Sequence, residues 1–119
     1  MVLVDTSVWV SHLRHGNEDL QKLLHDGEVV CHPFIVGELA CGNLKNRDEI
    51  LTYLQSLPMT ILAEDEEVLE FIENNQLTGK GLGYIDIHLI ASAVLTDVPF
   101  WTLDKPLDKF TKKIGITYR

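Results

Sequence analysis

At 119 residues the chain has room for one domain, 1–119, with a real core, and 45% hydrophobic residues at a mean hydropathy of +0.05 argue for a compact soluble fold rather than disorder. No apolar stretch approaches the ~20 residues needed to cross a bilayer, and the first is cut at Asp5, so the expectation is a cytoplasmic protein without signal peptide or membrane contact. The net charge of −8 argues against broad attraction to nucleic acid, which needs basic surface to release counterions.

Val2-Leu3-Val4 reads as a strand that stops on Asp5. Open parallel sheets place ligands at the carboxyl ends of their strands, so an acid there is a candidate functional group; a turn or helix N-cap is the structural alternative. Helical residues 7–13 and 17–25 follow, then a strand over 28–31. Pro33 opens a helix through about Gly42 in which Glu38 is the only charge among Phe34, Ile35, Val36, Leu39 and Ala40. Residues 46–56 form another helix, 59–62 is strand-like, and 65–77 is helical with Val68, Leu69 and Ile72 as its apolar positions. Glu64, Asp65, Glu66, Glu67, Glu70 and Glu73 put six of the 18 acids on that helix, as a solvated face favoured by the helix dipole.

A glycine-rich loop, 78–83, precedes helix 85–95. It lacks the GK[ST] sequence and preceding strand of a phosphate loop, so it serves as flexible backbone. The helix has apolar residues on every side and is expected to be buried almost all round, yet it carries Asp86 in its first turn. A carboxylate there must cap the helix, be paired, or hold a metal. His88, two residues on, points elsewhere and reads as a hydrogen-bonded core histidine. His12, His15, His25 and His32 form no pair at a useful spacing. Strand 98–103 ends on Asp104, repeating the pattern of the first strand, before a short helix near 106–112 and a last strand at 116–118. Lys105, Lys109, Lys112 and Lys113, four of the ten basic residues, give this acidic edge a basic flank.

Alternating strands and helices imply an α/β fold with a mainly parallel central sheet covered on both faces. Asp5, Glu38, Asp86 and Asp104 can then meet near one sheet edge. Such a set suits hard divalent cations, Mg2+ or Mn2+, because converging carboxylates repel unless a cation neutralises them, and hard cations bind oxygen. In phosphodiester hydrolysis these metals activate water and clamp the reacting oxygens. Without Cys or His ligands a zinc site is disfavoured. Cys31 and Cys41 lack CxxC spacing and read as buried or half-buried thiols in a reducing compartment. Trp9 and Trp101 read as core or interface anchors.

VDTSVW at 4–9, GELA at 37–40, GLGYIDIHLIASA at 81–93 and WTLDKPL at 101–107 together resemble the PIN domain, specifically the VapC-type toxin ribonucleases of bacterial toxin-antitoxin pairs. The resemblance covers nearly the whole chain. It implies a three-layer α/β/α sandwich and a Mg2+- or Mn2+-dependent endoribonuclease with Asp5, Glu38, Asp86 and Asp104 as its acidic quartet. It also implies an RNA substrate, a VapB-type antitoxin that blocks the site, and a homodimer. Asp108 is an additional acid near the quartet, and Thr6, Ser7 and Thr102 are candidates to support it, Thr6 and Ser7 beside Asp5 and Thr102 beside Asp104. The competing readings are weaker. A receiver domain needs an acidic pair after the first strand and an acceptor Asp after a central one; a DxD phosphohydrolase needs an acid where Ser7 stands. A catalytically inactive PIN-like binding scaffold is the remaining alternative, although all four acids are retained.

Overall fold

The computed structural model describes all of residues 1–119. Its centre is a parallel sheet in the order β2-β1-β3, formed by β1 (Val2–Val4), β2 (Val29–Val30) and β3 (Phe100–Trp101). Val2 pairs with Val29 and Leu3 with Val30 on one side; Leu3 pairs with Phe100 and Val4 with Trp101 on the other. Every residue of β1 is buried, as expected of a central strand with both faces covered.

Seven helices surround the sheet: α1 (Thr6–His15), α2 (Glu18–His25), α3 (Pro33–Ala40), α4 (Arg47–Ser56), α5 (Asp65–Asn74), α6 (Tyr84–Thr96) and α7 (Lys105–Lys113). Local chemistry sets their starts. Asn17 accepts from the Leu20 amide at the head of α2, Glu64 and Glu67 form a capping box on α5, and Pro33 and Pro106 sit in first turns where a missing N–H costs nothing. In the loop before α6, Gly79 and Gly81 adopt φ of 71° and 77°, a region open to glycine. No helix is long and apolar enough to cross a membrane.

The strand expected at 59–62 is reduced to a single bridge, Cys31 to Met59. Two backbone bonds, Cys31 N–H to Pro58 O and Thr60 N–H to Cys31 O, extend the sheet beyond β2. The chain then leaves, because the Ile61 and Ala63 amides are taken by the Thr96 and Ser92 hydroxyls of α6. Residues 116–118 likewise contribute one bridge, Thr117 to Phe100, rather than a full strand.

Helix α6 is the core element, and Ile87, His88, Leu89, Ile90, Ala91, Ser92 and Ala93 are all buried. Its ends are not: Ile85, Val94 and Leu95 are exposed, so the expectation of burial all round holds only for the middle two turns. Leu69, read from its spacing as a core position of α5, is 57% exposed, since Val68 and Ile72 occupy the inward face. Cys31 is buried, and burial pushes its thiol up to about 11; Cys41 lies exposed beyond the end of α3, contrary to the buried reading. Trp9 is in the core and Trp101 packs on Tyr118.

Candidate active site

The parallel register brings the ends of β1 and β3 to one edge of the sheet. The Asp5 amide donates to Trp101 O at 2.8 Å, so Asp5 leaves the sheet alongside Thr102. Asp5 occupies the N-cap position of α1 but its carboxylate caps nothing. Instead, the carboxylate is buried, and its Oδ2 accepts from Ser7 Oγ at 2.8 Å and Thr102 Oγ1 at 2.7 Å. Two hydroxyl donors on one oxygen fix the rotamer, while Oδ1 receives no hydrogen bond from the protein.

Thr102 and Ser7 also tie the β3 exit in place. Thr102 Oγ1 accepts the Asp104 amide and Ser7 Oγ accepts the Leu103 amide, both at 3.0 Å. Thr102 was expected beside Asp104; its hydroxyl hydrogen belongs to Asp5. Thr6 serves a different acid from the one it follows, donating to Glu38 Oε1 at 3.0 Å and so linking α1 to α3. Glu38 is exposed and thus not a core carboxylate. Asp104 is exposed too, with Oδ1 accepting the Leu107 amide at 3.1 Å as the N-cap of α7.

Asp86 is in the first turn of α6 but makes no capping bond; Gly83 is the N-cap. With neither a cap nor a cationic partner, the Asp86 carboxyl is pushed up to about 6, first by burial and then by repulsion from Asp5, Glu38 and Asp104. The four acids therefore come from four separate chain segments into mutual electrostatic range. Asp108 is drawn away from them: its Oδ2 is 2.9 Å from Lys112 Nζ, one turn along α7.

Behind this edge lies a histidine cluster that spacing along the chain did not disclose. His32 is buried, caps α3 by accepting the Phe34 amide on Nδ1 at 2.9 Å, and has Nε2 3.3 Å from Ser92 Oγ. Burial, aided by repulsion from His88, lowers its pKa to about 4. His88 has its Nε2 3.2 Å from Asp65 Oδ1, which also accepts from Tyr84, so the core-histidine reading is correct and Asp65 is more than part of a solvated face. The signal available in sequence was His32 immediately before Pro33, a capping side chain ahead of a proline at N1.

A buried strand-end carboxylate held by two hydroxyls thus stands within electrostatic range of three further acids, from α3, α6 and the N-cap of α7. The chain belongs to the PIN domain family, which it matches over residues 2–113. Among characterised proteins it is 40% identical over 117 residues to Ribonuclease VapC32 of Mycobacterium tuberculosis, an alignment that spans 98% of this chain and 94% of that one. Solved structures with the same fold include a toxin-antitoxin complex from Klebsiella pneumoniae, at TM-score 0.65 and 16% identity over 87% of each chain. FitAcB from Neisseria gonorrhoeae aligns at TM-score 0.63 and 21% identity over 94% of each chain. PAE2754 from Pyrobaculum aerophilum gives TM-score 0.63 at 19% identity, covering 93% of this chain and 79% of that one.

Proposed function

We propose that the protein is an endoribonuclease toxin whose acidic quartet, Asp5, Glu38, Asp86 and Asp104, holds a divalent cation, Mg2+ or Mn2+, and that a VapB-type antitoxin restrains it. The observation that carries this reading is Asp86, a half-buried carboxyl raised to about 6 first by burial and then by repulsion from Asp5, Glu38 and Asp104, without a compensating cation in the protein. The 40% identity to a named ribonuclease over nearly the full chain supports the reaction class.

The donor set fits a hard cation. All four side chains offer oxygen, and the hydroxyls of Ser7 and Thr102 leave Asp5 Oδ1 free for a ligand. No three His, Cys, Asp or Glu side chains converge closely enough to enclose an ion. Asp5, Glu38, Asp86 and Asp104 are the residues that would hold such an ion, directly or through water. When bound, such an ion lowers the pKa of an attached water and stabilises charge on phosphate oxygens.

The chain's own residues do the positioning. Asp5 is held by Ser7 and Thr102 on the end of a buried strand, so it is the rigid member. Glu38, tethered by Thr6, and Asp104, tethered by capping α7, are exposed. Asp86, its carboxyl raised to about 6, can hold a proton that relieves the repulsion among the four acids.

The test is cleavage of single-stranded RNA with Mg2+, Mn2+ or excess chelator, alone and after co-expression with an adjacent small reading frame. Metal-dependent cleavage suppressed by that neighbour is expected. Cleavage undiminished by chelator contradicts the metal assignment, and a neighbour that does not bind contradicts the toxin-antitoxin assignment.

A further inference from the structure

A cleft of about 720 Å3 lies between α7 and the loop that leads into α6, and four lysines line it: Lys80, Lys105, Lys109 and Lys113. They are four of the ten basic residues in a chain with a net charge of −8. Lys105, Lys109 and Lys113 follow one another at every fourth residue, so they form a stripe along one side of α7 with a rise of about 6 Å per step. All four are exposed, and none is in an ion pair. The pairing on α7 falls to Lys112, off the stripe, which neutralises Asp108. Leu82 and Pro106 give the cleft an apolar wall.

Both walls run directly into the acidic site. The loop passes from Lys80 through Leu82 to Asp86 on α6, and α7 begins at Lys105, immediately after its N-cap Asp104. The other large cleft, about 660 Å3 beside Glu38, mixes Glu38 with Arg14 and Lys45 and has no such stripe. We infer that the lysine-lined cleft is the track for the phosphate backbone of a single RNA strand, holding the part of the substrate that extends away from the acids. This rests on the ribonuclease reading and adds where the strand lies. The cations attract successive phosphates, the apolar wall meets sugar and base faces, and the acidic remainder of the surface repels RNA from other paths.

The experiment compares wild type with Lys109→Gln/Lys113→Gln, using a labelled, uncleavable 2′-O-methyl RNA of about twelve nucleotides at a series of salt concentrations. Binding should weaken about tenfold, and the slope of log affinity against log salt should fall by about 0.7 for each lysine that meets a phosphate. A charge-matched control, Lys22→Gln/Arg119→Gln, should bind like wild type, and Lys109→Arg/Lys113→Arg should restore affinity. Equal weakening by both Gln pairs would attribute the effect to net charge and overturn the proposal, as would no weakening by either. Preferential capture of a polyglutamate peptide over RNA would assign the cleft to an acidic protein partner and also overturn it. Wild type that binds the strand through these lysines but cuts no RNA leaves the track intact and removes the ribonuclease reading; wild type that cuts RNA without needing the lysines does the reverse.

Discussion

Replacing Asp86 by Asn should make the metal-free protein more stable at neutral pH. The Asp86 carboxyl has its pKa raised from 3.8 to about 6 in the folded chain. A group whose folded pKa is raised is protonated in the native state while it is already ionised in the unfolded one, so stability falls as pH rises from about 3.8 through about 6. At pH 7.5 the full shift corresponds to about 3 kcal/mol. Asp86 is only half-buried, and screening by solvent reduces this to about 1–2 kcal/mol. Asn keeps the shape and removes the charge, so the variant should melt about 4–8 °C higher than wild type at pH 7.5 without metal. At pH 4.5 the native carboxyl is already protonated and the gain should shrink to about a third. Millimolar Mn2+ should raise the melting temperature of wild type by mass action and do less for the variant. Differential scanning calorimetry at the two pH values, with and without Mn2+, reads all of this. An Asn variant that melts at or below wild type at pH 7.5, or a gain independent of pH, would refute the clustered-carboxylate account.

Losing either hydroxyl on Asp5, in Ser7→Ala or Thr102→Val, should lower RNA cleavage about 10–100-fold while the fold survives, measured by initial rates alongside a melting curve. His32 gives the opposite pH dependence to Asp86: its folded pKa is lowered to about 4, so stability is lost as pH falls from about 6.5 towards 4, and protonation also costs the bond from the Phe34 amide. His32→Asn can still accept that amide, so it should flatten the acid limb of melting temperature against pH; an unchanged limb contradicts this. If an antitoxin places an Arg or Lys among Glu38, Asp86 and Asp104, raising salt should mainly slow its association and Asp104→Asn should weaken it, as followed by surface plasmon resonance.

The sheet and the helix order were readable because apolar runs ending on an acid, Val4-Asp5 and Leu103-Asp104, mark the carboxyl ends of parallel strands. Edge strands were less legible: 59–62 has strand composition, but its amides are claimed by Thr96 and Ser92, partners about thirty residues away in sequence. That Asp5, Glu38, Asp86 and Asp104 would approach one another was legible from grammar and resemblance together, whereas the hydrogen bonds that hold them were not. Thr6 follows Asp5 yet serves Glu38, and Thr102 precedes Asp104 yet serves Asp5, because the sheet register and the α1–α3 packing decide which hydroxyl meets which carboxylate. The His32–His88 proximity, with ring centroids 6.3 Å apart, likewise exists only once α3 packs beside α6.

The most direct measurement is the rate of single-stranded RNA cleavage in Mn2+ for Asp5→Asn, Glu38→Gln, Asp86→Asn and Asp104→Asn, set against Asp108→Asn. Each quartet variant should lose most of the activity, and Asp108→Asn, whose carboxylate is occupied by Lys112, should keep it. Quartet variants that cleave as fast as wild type, or an Asp108 variant as inactive as they are, would contradict a single metal-holding site built from these four acids.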